Sequence, residues 1–161
     1  MSNLISPRPR IVGAAAAKRH FPIVASQFNP TYVQGLIEHA TAELRALIPN
    51  ATTSLLQVPG AFEIPIVVRE LALQKRGDAI IAIGVILKGK TDHAENLSRS
   101  VTDALQRIAV TQGIPVINAV LSFDDEDQAR ERCLENEINR GTEAARAAVE
   151  ISNVIAKLRN K

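Results

Sequence analysis

Two nearly uninterrupted apolar runs set the narrowest limit on how this chain folds. They are Ala79–Leu87 (Ala-Ile-Ile-Ala-Ile-Gly-Val-Ile-Leu) and Ile114–Leu121 (Ile-Pro-Val-Ile-Asn-Ala-Val-Leu). A strand with one wet face alternates apolar and polar residues, whereas a run without alternation is a strand buried on both faces. Strands of that kind belong to a parallel sheet with helices on each side. Two shorter strands are expected at Phe21–Gln27 and Thr52–Val58.

Helical periodicity fills the intervals. Asn29-Pro30 reads as a cap followed by proline at the first helical position, and Val33, Leu36, Ile37, Ala40, Leu44 and Leu47 then keep one stripe until Pro49-Asn50. Pro59-Gly60 opens a shorter helix carrying Ile64, Val67, Val68 and Leu71, ended by Gly77. Asp92 and Glu95 have capping-box spacing ahead of Leu97, Val101, Leu105 and Ile108. Asp124–Asp127 places acid on the first turn of a fourth helix, where the macrodipole favours it. Gly141 separates that helix from a last one with Ala145, Ala148, Val149, Ser152 and Ile155. The order β, α, β, α, β, α, β, α, α, with right-handed crossovers, gives a doubly wound three-layer α-β-α sandwich.

Composition narrows the function classes. The 161 residues suit a single domain over 13–161, preceded by an extended arm over 1–12 that contains Pro7 and Pro9. With 3% aromatic residues and no Trp, the core must be aliphatic. A net charge of +2 with scattered basic residues offers no footprint for nucleic acid. No run approaches the ~18 apolar residues of a membrane helix, and the start lacks a signal peptide's apolar region. A lone Cys133 allows neither an internal disulfide nor a zinc cluster, so a reducing, cytoplasmic location is expected.

In such sheets ligands sit outside the carboxyl ends of the strands. The loops that matter are therefore Gln27–Pro30, Pro59–Glu63, Lys88–His93 and Ser122–Asp125. The third of these completes Gly84-Val-Ile-Leu-Lys-Gly-Lys-Thr91, a formal match to the nucleotide phosphate loop. Val85–Lys88 continues the strand rather than forming a loop, which leaves Gly89-Lys90-Thr91 too short to wrap a triphosphate. Asp124 after the next strand mimics a magnesium-binding carboxylate and keeps that reading open.

The narrower expectation is one phosphate at a helix N-terminus, bound by Lys90 and Thr91. His93 stands beside it, poised to move protons near neutral pH. The bland alternative is that Thr91 and Asp92 cap the helix and His93 is solvated. Phe28 is either a staple against its own helix or a stacking surface for a planar ring. Glu63 is either a helix-end charge worth about 0.3–1 kcal/mol or a ligand group. Arg132 has no acidic residue four positions away, which favours a role beyond its own helix. His20 reads as strand edge, His39 as half-exposed on the first helix, and Cys133 as a small helix-face residue.

Taken together, these loops resemble the lumazine synthase (6,7-dimethyl-8-ribityllumazine synthase) family. The matching segments are Ser26-Gln27-Phe28-Asn29, Val58-Pro59-Gly60-Ala61-Phe62-Glu63-Ile64-Pro65, Gly84–His93 and Asp127-Gln128-Ala129-Arg130-Glu131-Arg132. They lie in family order, and the likeness runs from about residue 20 to 155.

The resemblance implies a flavodoxin-like, four-stranded parallel sheet with helices on both faces. It implies a transferase of riboflavin biosynthesis that condenses 5-amino-6-(D-ribitylamino)uracil with 3,4-dihydroxy-2-butanone 4-phosphate, without metal or redox cofactor. By position, Phe28 would lie against the pyrimidine, and Ala61, Phe62 and Glu63 would hold the ribityl side. Val85, Ile86 and Leu87 would offer strand-end backbone to the uracil. Lys90, Thr91 and Arg132 would bind the phosphate, with Arg132 from a neighbouring subunit, and His93 would transfer protons.

The partners implied are copies of the chain itself, as pentamers, paired pentamers or a sixty-subunit icosahedral capsid, together with riboflavin synthase. The sequence departs from the family pattern at Gln27 (usually Arg), Lys90 (small or acidic), Asn118 (an aromatic covering the ring's second face) and Arg140 (Lys). Those departures keep a second expectation in view, a catalytically weak, flavin- or lumazine-binding, shell-forming paralogue.

Overall fold

The computed structural model describes residues 18–159, so the arm expected over 1–12 and its junction at 13 lie outside the described residues. Strands β1 (His20–Ser26), β2 (Thr52–Val58), β3 (Ile80–Leu87) and β4 (Val116–Phe123) form one sheet in the order β2-β1-β3-β4. Every pairing is parallel. Helices α1 (Pro30–Leu47), α2 (Ile64–Leu73), α3 (His93–Gln112), α4 (Glu126–Cys133) and α5 (Arg140–Leu158) complete the three-layer α/β architecture.

The pleat of β3 explains the layers. Ile81, Ile83 and Val85 point into a core shared with α1, α4 and α5. Ile80, Ala82 and Ile86 point into a second core shared with α2 and α3. An unalternating apolar run is what a strand between two such cores requires.

The other long run behaves differently. It was expected to be buried on both faces, yet β4 is an edge strand with Asn118 exposed and Val116, Ile117 and Leu121 only half-buried. It also begins at Val116 rather than Ile114. Pro115 has no N–H for the ladder and instead accepts a bond from the Ile80 N–H at 2.9 Å.

Several helix ends correct the sequence reading. Asn29 adopts a left-handed backbone (φ 55, ψ 57) and makes no side-chain cap. The capping box at Asp92 and Glu95 is not formed; Glu95 pairs with Arg99 at 3.2 Å, and the Thr91 Oγ1 accepts from the His93 N–H at 3.4 Å. The α2 segment is delayed by a 3-10 turn at Ala61–Glu63 and stops at Leu73, well before Gly77. Asp125 is the residue in the acidic run that caps α4, accepting the Gln128 N–H at 2.9 Å.

Gly141 does not separate the last two helices; it is the second residue of α5. The break is made by residues 134–139, where the buried Asn139 accepts from the N–H groups of Gly141 and Thr142. A Cβ on Gly141 would meet the Leu36 carbonyl oxygen at 2.3 Å, so α5 can approach α1 only through glycine there. Gly141→Ala is expected to cost about 1–3 kcal/mol, the range for overpacking. Urea denaturation at fixed protein concentration checks this, and an unchanged midpoint would contradict the close approach.

Of the remaining sequence readings, His20 begins β1, and His39 is half-buried with a ring nitrogen 3.2 Å from the Leu134 carbonyl oxygen. Cys133 closes α4 fully buried, and burial pushes its thiol pKa up to about 12.

Candidate active site at the carboxyl edge of the sheet

Successive pairings define where a ligand can enter. β1 stays with β2 as far as Ser26–Val58, and β3 stays with β4 as far as Leu87–Phe123. Between β1 and β3 the ladder ends at Ala25–Ile83. The two central strands therefore part, leaving the β1 side of Gly84–Leu87 outside the ladder. This is also where the connections diverge, α1 leaving β1 on one face and α3 leaving β3 on the other. A parallel sheet opens its ligand crevice at such a switch point.

Asn29 spans the opening. Its Nδ2 donates to the Val85 carbonyl oxygen at 2.7 Å across 56 residues of sequence. The left-handed backbone at Asn29, which Asn tolerates better than most residues, aims the amide at β3 instead of its own helix. The sequence reading had this residue as a helix cap and missed its bridging role. An Asn-Pro pair directly after a core strand was the available signal. Asn29→Ala is expected to remove about 1–3 kcal/mol, because it leaves a part-buried carbonyl unpaired. A stability loss near zero in thermal unfolding would mean that water replaces the amide.

Most of the expected set lies on the loops and strand ends at the carboxyl edge. Phe28 is 68% exposed, so the staple reading fails, and its ring is open to a ligand. Ring carbons of Phe28 lie 3.2 Å from the point where Gly60 would carry a Cβ, and the Glu63 Oε1 lies 3.3 Å from it. Glycine thus lets an aromatic face and a carboxylate converge on one spot. Phe62 is 69% exposed beside them, while Ala61 is buried.

Val85 and Ile86 are buried in the two cores and Leu87 is half-buried, so these residues have mainly backbone to offer. Lys90, Thr91 and His93 are exposed, on the loop after β3 and the first residue of α3. A side chain at Gly89 would meet nothing within 4 Å, which leaves room for a ligand.

The nucleotide reading ends here. Gly84–Leu87 is strand, and Asp124 is engaged by Lys88 Nζ at 2.8 Å and by Gln128. Hydrogen bonding and charge from Lys88 hold the Asp124 carboxyl below its ordinary range and raise the Lys88 ammonium. Asp124 and Lys88 thus form a loop clamp. No group of three or more metal-ligating side chains occurs among the described residues.

Two expected residues stand apart. Arg132 lies on α4, on the α1/α5 face, whereas His93 begins α3 on the other face. Its Nη1 is 3.6 Å from the Oε2 of the adjacent Glu131, a partner that the i,i+4 spacing rule could not supply. Asn118 lies on the outer edge of β4, donating to Thr102 Oγ1 at 3.2 Å and accepting from the Val120 N–H at 3.0 Å.

A doubly wound α/β sheet with an aromatic, a carboxylate, an imidazole and a helix N-terminus on the loops at its carboxyl edge has the layout of a small-molecule enzyme. The chain belongs to the 6,7-dimethyl-8-ribityllumazine synthase family, whose sequence profile matches residues 18–156. It is 38% identical over 137 residues to the 6,7-dimethyl-8-ribityllumazine synthase of Azoarcus sp. (strain BH72), covering 84% of this chain and 85% of the relative. The enzymes of that name from Nitrosomonas europaea and Paraburkholderia phymatum are each 39% identical over 137 residues. Those matches cover 84% of this chain and 81% and 77% of the relatives.

Proposed function

We propose that this chain condenses 5-amino-6-(D-ribitylamino)uracil with 3,4-dihydroxy-2-butanone 4-phosphate to 6,7-dimethyl-8-ribityllumazine, phosphate and two waters, as a transferase of riboflavin biosynthesis. The observation that carries the proposal is the parting of β1 and β3 beneath an exposed Phe28, with His93 at the start of α3. The pyrimidine stacks on Phe28 and reads the backbone of Val85, Ile86 and Leu87. Its ribityl chain lies along Ala61, Phe62 and Glu63. The butanone phosphate sits at the N-terminus of α3 on Lys90 and Thr91, where backbone N–H groups and the helix dipole favour an anion.

His93 moves protons during imine formation and phosphate loss, a contribution of about 10²–10⁴-fold. Holding amine and carbonyl in one crevice contributes more, roughly 7–11 kcal/mol of barrier in well-oriented cases.

A second copy completes the site. Arg132 reaches it from a neighbouring chain as a bidentate partner of the phosphate, and Asn118 stands where an aromatic would cover the second face of the ring. Exposed apolar groups on both sheet edges support self-association: Leu55 and Leu56 on β2, and half-buried Ile117 and Leu121 on β4. The assembly is a pentamer or a multiple of pentamers, up to a closed icosahedral shell, working in the cytoplasm. No helix among the described residues is long and apolar enough to cross a membrane.

Asn118 also supports a second reading, a weakly active lumazine- or flavin-binding paralogue. Its amide is bonded within its own chain and cannot cover a ring as an aromatic would. Mixing the two substrates and following the lumazine absorbance decides between the readings. Product above the uncatalysed background is expected. Flavin binding without product would favour the paralogue.

A further inference from the structure

At the opposite, amino-terminal end of the sheet lies a cavity of about 540 Å³, within the roughly 300–1,000 Å³ typical of small-molecule sites. Its charged lining comprises Arg19, Lys75, Asp78 and Arg159. Two of these groups have structural employment. Arg159 Nη2 donates to the Gly113 carbonyl oxygen at 2.6 Å, tying α5 to the end of α3. Asp78 Oδ2 accepts the His20 N–H at 2.8 Å.

Arg19 is different. It is 8% exposed, its carbonyl accepts the Thr52 N–H, and its guanidinium makes no hydrogen bond or ion pair with any described residue. A guanidinium carries five N–H donors and stays charged, and here its nitrogens still touch solvent, which leaves those donors open to an anion. The exposed Lys75 likewise has no partner among the described residues. It holds a left-handed backbone (φ 54) just past α2, a position that ordinarily favours glycine or asparagine. Lys75 and Arg19 thus line one cavity, and neither has an acceptor among the described residues.

We propose that this cavity binds the phosphate group of a small organic phosphate. Two unmatched cations suit a dianion, and a guanidinium pairs with phosphate oxygens in bidentate fashion. The volume exceeds what a bare ion fills, and Ile114, Pro115 and Ile155 supply an apolar wall for the organic portion. The cavity is separate from the carboxyl-edge crevice, and the inference does not depend on the reaction assigned there.

Calorimetric titration of the assembled full chain with glycerol 3-phosphate tests the proposal, beside Arg19→Gln and Lys75→Gln. A binding class lost in Arg19→Gln and weakened roughly tenfold in Lys75→Gln is expected, since each removes a charge-assisted contact. Condensation activity should be unchanged in both. Should Arg19→Gln fail to fold, Lys75→Gln decides, because that side chain is exposed. Inorganic phosphate in a parallel titration distinguishes the sources. Weaker binding than the ester's supports the organic phosphate, and equal or tighter binding overturns it in favour of the free ion. Variants that titrate like the unaltered chain, or no binding of either probe, overturn the site itself.

Discussion

Chains carrying His93→Ala and chains carrying Arg132→Ala, each crippled alone, regain activity when refolded together. His93 begins α3 and Arg132 lies on α4, and the proposed site draws them from different copies. His93→Ala removes the proton carrier and should lower kcat by about 10²–10⁴-fold. Arg132→Ala removes a charge-assisted phosphate contact worth about 1.5–3 kcal/mol. That loss raises the KM for the butanone phosphate roughly 10–150-fold and leaves the pyrimidine's KM nearly unchanged.

In a ring of randomly mixed copies, about a quarter of the interfaces pair an intact His93 with an intact Arg132. Assayed below saturation, the equimolar mixture should approach that fraction of the unaltered activity. A mixture no better than the sum of its parts would place both groups in a single chain. An equal rise in both KM values would remove Arg132 from the phosphate.

Glu43→Ala is expected to be the most damaging substitution for stability. Glu43 is a 4% exposed carboxylate on α1 whose Oε2 meets the Nε of Arg146 on α5. Removing one member of a buried ion pair costs about 3–5 kcal/mol. For a chain of this size each kcal/mol moves Tm by roughly 2–4 °C. Thermal unfolding at one fixed concentration is the measurement, because self-association makes Tm concentration-dependent. Glu43→Leu combined with Arg146→Met should recover most of the loss, since a packed apolar pair need not be less stable than a buried ionic one. A single-variant loss under about 1 kcal/mol would mean that water reaches the pair.

That ion pair had no sequence signature, and the reason is general. Residues 43 and 146 are distant in the chain, and neither helical stripe distinguishes a charge facing a helix from one facing water. The bond from Asn29 to Val85 is similar, joining a loop to a strand 56 residues away. The helix-end errors have a nearer cause. Asp92 and Glu95 had capping-box spacing, but Glu95 finds Arg99 on its own helix, and a local ion pair displaced the box. Gly141 looked like a stop because glycine often is one. Here it is tolerated inside α5 because Leu36 on α1 leaves no room for a side chain.

The sequence alone determined the class of the fold, since apolar periodicity is a local property. The unalternating Ala79–Leu87 demanded burial on both faces, and the remaining periods placed helices between parallel strands. Its loop segments were equally local, and they carried the family. What only the tertiary structure decided was strand position and what that position exposes. Ile114–Leu121 carries a strongly apolar pattern like that of Ala79–Leu87, yet one of these strands is central and the other is an edge. Strand order depends on contacts among distant segments, which no window of sequence contains. From that order came the parting of β1 from β3 and the crevice it opens.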